Sequence, residues 1–284
     1  MISRIHLDTG HGIRSICKVL GLLRSSYYHA ATPTMTELSD RDIAERIERI
    51  FRHHRRRYGY RRIYQNLRED GTACSHARLR RLMAERGLKA IQPRTYVPRT
   101  SDGKADKPSP NLLLEASLPA TPDTVWAGYI TFIPTTSGWL YLAVVIDLCS
   151  RRIVGWALAD VLRADLVADA FRQGYQSRLP QPGFIFHSDR GSQYGSRLFR
   201  AQLAKTGALQ SMSARANPYH NAWTESFIGT LKAEMLQGGC FLDRNDARIE
   251  LFAYIEFYYN THRRHSSLDY KTPDQFEARF HSLN

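Results

Sequence analysis

Two apolar runs, Val125–Ile133 and Trp139–Ile146, flank the short polar word Thr135-Thr-Ser-Gly138. Runs of this length, rich in β-branched and aromatic residues and joined by a Gly-containing turn, read as an antiparallel hairpin. If residues 135–138 form the turn, Tyr129 pairs with Val144. Arg152–Leu158 then reads as a third strand, Ala164–Gln176 as a helix and Phe184–His187 as a fourth strand. Ser196–Thr206 reads as a helix, Leu209–Met212 as a fifth strand, and the segment around Trp223, Phe227, Leu231 and Met235 as a helix with an apolar stripe. This β-β-β-α-β-α-β-α order predicts an α/β fold, a mixed sheet with helices on its faces.

The chain before this core differs in character. Net charge is +13, and residues 1–100 carry 21 Lys or Arg against 9 acids, so the basic footprint belongs to the N-terminal third. That points to a polyanionic partner. Residues 1–30 read as a partial helix-turn-helix: Ile13, Ile16, Cys17 and Leu20 form a stripe, Gly21 a turn, and Arg24–Tyr28 a second helix. Residues 38–90 read as an all-α DNA-binding domain. Ile43, Ile47, Ile50 and Phe51 mark one helix, and Ile63, Tyr64 and Leu67 a second. A third, carrying Leu79, Leu82 and Met83, is capped by Ser75 and stopped at Gly87. Arg55, Arg56, Arg57, Arg61 and Arg62 interleave with tyrosines, and Arg78, Arg80 and Arg81 crowd the third helix, a composition suited to phosphate contact. Proline-rich residues 91–121 read as a linker or extended arm, 122–235 as the core, and 236–284 as a helical, basic tail. The four cysteines are widely spaced, which argues against a zinc site and for a reduced, cytoplasmic setting. No stretch approaches the roughly 20 apolar residues of a membrane helix.

Two words carry the chemistry. His187-Ser-Asp-Arg-Gly-Ser-Gln-Tyr194 puts Asp189 just past the fourth strand, and Thr224-Glu-Ser-Phe-Ile-Gly-Thr-Leu-Lys232 puts Glu225 on a helix. Glu225, Gly229 and Lys232 share a stripe of that helix, distinct from the apolar one. Two such carboxylates can converge on hard divalent cations, which take oxygen ligands. With Trp139-Leu-Tyr-Leu-Ala-Val-Val-Ile-Asp147, Ser150-Arg-Arg-Ile-Val-Gly-Trp156 and Arg263-Arg-His-Ser-Ser-Leu268, these words resemble the transposases of bacterial insertion sequences, in the insertion-sequence-three family. The resemblance is to the product of that family's second reading frame, and it covers nearly the whole chain. It implies an RNase H-like core and an Asp-Asp-Glu triad with thirty-five residues between its last two members, which Asp189 and Glu225 match. It also implies two Mg²⁺ or Mn²⁺ ions, 3′-end cleavage and strand transfer. The implied partners are double-stranded DNA at element ends and target, further copies of the chain on DNA, and an upstream-frame DNA-binding partner. The implied location is the bacterial nucleoid. Arg190 and Lys232 are placed to contact DNA phosphates beside the metals.

One position departs from the pattern. The family's first Asp lies between Trp-x-Gly and Ile-Thr, and here that phrase is Trp126-Ala-Gly-Tyr-Ile-Thr131, so Tyr129 stands in its place. A phenol with a pKa of about 10 is neutral at pH 7 and cannot replace a carboxylate bridging two cations. Asp147 is the nearest other acid, but the hairpin register sets it three residues along, roughly 10 Å away. An Asp-to-Tyr change takes a single base. Three readings follow: a transposase impaired at its metal site; a catalytically inactive DNA-binding descendant or regulator; and a tyrosine recombinase using Tyr129 as nucleophile, which lacks the expected Arg-His-Arg cluster.

Overall fold

The computed structural model describes residues 2–23, 35–92, 108–114, 119–213 and 222–283. The chain divides into two compact units, Met1–Ala90 and Ile91–Asn284.

In the first unit, α1 (Ile2–Thr9) and α2 (Ile13–Val19) pair through Ile2, Ile16 and Cys17. Helix α1 has no counterpart in the sequence reading. The helix expected at residues 24–28 lies outside the described residues. A second cluster is built by α3 (Met35–His53), α4 (Tyr60–Glu69) and α5 (His76–Glu85). Ile43, Ile47 and Phe51 from α3 meet Ile63 and Leu67 from α4 and Leu79, Leu82 and Met83 from α5. The expected cap and stop are in place: the Ser75 hydroxyl accepts the Arg78 amide at 3.2 Å and Gly87 sits at positive φ, as does Gly71 after α4.

The second unit is built on β1 (Val125–Thr135), β2 (Gly138–Asp147), β3 (Ile153–Ala159), β4 (Ile185–Ser188) and β5 (Leu209–Met212), ordered β3-β2-β1-β4-β5. β1 pairs antiparallel with β2 and parallel with β4, so the sheet is mixed as expected. The hairpin register puts Tyr129 opposite Val144 and Asp147 opposite Trp126. On one face pack α6 (Ala164–Arg178) and α7 (Arg197–Thr206), with Trp126, Ile130, Phe171, Phe186, Tyr194 and Phe199 among the buried groups. Two glycines allow the close approach there. A Cβ on Gly155 would lie 2.1 Å from the Ala170 carbonyl oxygen, and one on Gly128 would lie 2.6 Å from the Phe186 ring.

The opposite face is covered by α8 (Ala222–Leu236), α9 (Arg244–Tyr254) and the π-helical turn Ile255–Tyr259. Residues 236–284, expected as a tail, therefore complete the core. Leu251, Tyr254, Ile255 and Tyr259 join Phe227, Ile228 and Leu231 over the sheet because that apolar face needs more cover than α8 supplies. Arg263 donates to Glu234 from Nε at 3.0 Å and from Nη2 at 2.9 Å, fastening α8 to this segment. Helix α10 (Pro273–Leu283) is tied to the core through Glu277, which pairs with Arg178. Of the expected linker, residues 108–112 run against β5: Pro110 accepts the Met212 amide, and the Leu112 amide donates to the Ser211 hydroxyl.

Candidate catalytic site and nucleic-acid interface

The parallel register of β1 and β4 aligns Ala127 with His187. Continued two residues past its last pair, that alignment brings Asp189 level with Tyr129. Tyr129 is only 6% exposed and belongs to the same cluster as Phe227, Ile228 and Leu231 of α8. Asp189 is half-buried, and its Oδ1 accepts the Gly191 amide at 2.9 Å, which starts the turn into the following helical turn. Burial raises the Tyr194 phenol well above its usual pKa, and the nearby Asp189 and Tyr129 raise it further. Tyr194, 2% exposed among Phe186 and Phe199, is a packing residue. His187 is fully buried, with Nδ1 2.8 Å from the Ser211 hydroxyl, so it ties β4 to β5 beneath Asp189.

Glu225 sits on the first turn of α8, exposed; what burial it has raises its carboxyl above the usual range. Two turns on, Lys232 is half-buried and its ammonium is held below its usual pKa by desolvation. Between them a Cβ on Gly229 would meet nothing within 4 Å, so there is room beside the helix at that position among the described residues. Phe227 and Leu231 form the buried stripe, with Met235 partly buried, as the helical spacing predicted. The side chain of Trp223 lies outside the described residues, as do Asn217, Pro218, Tyr219, His220 and Asn221. Arg190 donates from Nε to the Ser213 carbonyl at 2.9 Å, which leans its guanidinium towards the end of β5.

Asp147 is not a spare ligand. Its carboxylate is fully buried and accepts the amides of Asp123, Cys149 and Ser150 at 2.7–2.9 Å and the Ser150 hydroxyl at 3.0 Å. Burial pushes its pKa up against those donors. It organises the β2–β3 turn, a role that the sequence reading left unassigned although Ser150 at i+3 is the signal for it. Among the described residues no three His, Cys, Asp or Glu side chains gather as a metal-binding group. At the β1 position where the family pattern has its first carboxylate the side chain is the phenol of Tyr129, 6% exposed. The donor set does not fit two cations.

In the first unit the structure divides the arginines named from sequence. Arg78 and Arg81 both bond Asp40, at 2.5 Å each, and Arg81 also reaches Glu85 at 2.8 Å. These donors hold the Asp40 carboxyl below its usual pKa, Arg81 contributing most. Arg57 is buried, and Arg62 lies over the Tyr58 ring at 5.6 Å. Arg55, Arg56, Arg61 and Arg80 are exposed.

Family models assign the two units to an integrase-type core and a helix-turn-helix-like domain. Residues 119–218 and 206–273 each match an Integrase core domain family, and residues 37–96 match the HTH-like domain. The chain is 42% identical over 245 residues, 86% of its length and 97% of the relative's, to the transposase for insertion sequence element IS904 of Lactococcus lactis. It is 36% identical over 269 residues, 93% of each chain, to transposase InsF for insertion sequence IS3A of Escherichia coli. The chain belongs to the IS3 family of insertion-sequence transposases. Among solved structures, the simian T-cell lymphotropic virus intasome in complex with the PP2A regulatory subunit B56 gamma overlaps 72% of this chain and 67% of its own. The TM-score there is 0.45 and the identity 14%. The HTLV-2 integrase catalytic core in complex with magnesium overlaps 55% of this chain and 96% of its own, with a TM-score of 0.39 and 18% identity. No helix among the described residues is long and apolar enough to cross a membrane.

Proposed function

We propose that this chain is a transposase that holds double-stranded DNA at element ends and target while its own cleavage and strand-transfer chemistry is disabled at Tyr129. One observation supports the second half: the β1 position that the β1–β4 register, carried two residues past its last pair, brings level with Asp189 is a buried tyrosine. Asp189 and Glu225 remain as the two carboxylates of the site. Bound cations would supply the charge stabilisation for phosphoryl transfer; Asp189 and Glu225 would hold them, and Tyr129 offers no first-strand carboxylate for a pair to share. Groups that act as a unit fail as a unit, so the loss should approach removal of the whole triad. The first half rests on the basic helical unit and its HTH-like match. Such a protein acts with further copies on DNA and, as an inactive family member, competes with or joins active partners. The upstream-frame product and the nucleoid are its expected company. Cleavage of an end-containing duplex with Mg²⁺ or Mn²⁺ tests the reading. The chain should bind the duplex without cutting it, and Tyr129→Asp should restore cutting. Equal cutting by both would overturn the account of the site.

A further inference from the structure

Arg61 and Arg80 come from different helices, yet they converge on one aromatic ring. Their guanidinium carbons lie 5.3 and 5.5 Å from the Tyr60 centroid, so they are no more than about 11 Å apart. Both are exposed, and neither forms an ion pair with a carboxylate among the described residues. Their neighbours differ. Along α5, Arg78 and Arg81 turn towards Asp40 on α3, whereas His76 and Arg80, one turn apart, turn towards the tyrosines of α4. The His76 ring stacks on Tyr64 at 4.0 Å and meets Tyr60 edge-on at 5.8 Å, which holds the platform in place. Arg86 is likewise spent, on Glu48 at 2.6 Å. Thus the arginine-crowded helix uses most of its charge to brace the unit and leaves one guanidinium to face outward.

We propose that Tyr60, Arg61 and Arg80 form a phosphate clamp on the duplex backbone, and that Arg78, Arg81 and Arg86 take no part in DNA contact. Two like charges brought to one ring without a carboxylate leave a positive site that an oxyanion neutralises, and guanidinium forks match phosphodiester oxygens. The ring sets the separation and keeps both forks pointing outward. The clamp rests on the reading that the chain binds DNA.

The test is the salt dependence of duplex binding by the full chain, followed by fluorescence anisotropy. Each neutralised phosphate contributes about 0.9 to the slope of log K against log salt. Arg61→Gln with Arg80→Gln removes the one phosphate that the two forks share and should therefore flatten the slope by about 0.9. Arg61→Lys with Arg80→Lys, which keeps the charge, should hold the slope. Arg78→Gln with Arg81→Gln should leave the slope in place while lowering the melting temperature of the first unit. An unchanged slope in the Gln pair, or equal flattening in the Arg78/Arg81 pair, overturns the clamp while leaving DNA binding intact. A chain that fails to bind duplex at low salt overturns both the clamp and the reading beneath it. Inorganic phosphate should displace DNA no better than chloride at matched ionic strength. Stronger displacement would reassign the site to free phosphate.

Discussion

Replacing Arg263 with alanine should cost the core unit about 3–5 kcal/mol, the usual loss when one partner of a buried ion pair is removed. Glu234 is 6% exposed and Arg263 equally so. The guanidinium donates to the carboxylate from Nε at 3.0 Å and Nη2 at 2.9 Å, and the Tyr254 hydroxyl donates to Oε2 at 2.8 Å. Burial works against the charged guanidinium, but Glu234 outweighs it and holds the Arg263 pKa above its usual value. Alanine leaves a buried carboxylate with the Tyr254 hydroxyl as its donor and removes the guanidinium stacked over Tyr259 at 5.8 Å. All four tryptophans (Trp126, Trp139, Trp156, Trp223) lie in the second unit, so tryptophan fluorescence follows the unfolding of that unit in the intact chain. At about 2–4 °C per kcal/mol for a unit of this size, the midpoint should fall by roughly 6–20 °C. Glu234→Leu with Arg263→Met removes both charges and should recover most of the loss. A midpoint shift below about 2 °C for Arg263→Ala, or a double variant no better than the single, would refute the reasoning.

Other substitutions probe the packing and the charges. Gly155→Ala should destabilise the core by about 1–3 kcal/mol or more, because its Cβ meets the Ala170 carbonyl at 2.1 Å and backbone must move; urea unfolding measures it. Thr131→Val should raise the unfolding free energy measured the same way by about 1 kcal/mol, since the buried Thr131 hydroxyl has no hydrogen-bond partner among the described residues. Asp40, held low by Arg81 and Arg78, contributes stability that is full above its unfolded pKa of 3.8 and fades as pH falls towards its folded value. Circular dichroism of the first unit should therefore show acid sensitivity near and below pH 4 that Asp40→Asn lacks.

Much of this could be read from the chain. Placing the hairpin turn at residues 135–138 gave the Tyr129–Val144 pairing, and the β-β-β-α-β-α-β-α order follows from runs whose periods differ clearly. The site's strand and helix positions followed from the same periodicities. What stayed hidden depends on contacts distant in sequence. Helix α1 is too short and polar to announce itself, and it shows only through Ile2 packing on Ile16 and Cys17. Residues 236–284 read as a tail because the partners of Tyr254, Tyr259 and Arg263 lie on β1 and α8. Composition treats all arginines alike, so it could not separate Arg78 and Arg81, spent on Asp40, from Arg61 and Arg80.

The central claim is that Tyr129 denies the site its second cation. Mn²⁺ titration of the intact chain and of Tyr129→Asp, followed by the electron paramagnetic resonance of free Mn²⁺, measures it directly. The account expects at most one weakly held ion per chain with Tyr129, removable by Asp189→Asn, and two with Tyr129→Asp. Two ions bound equally well by both proteins would contradict it.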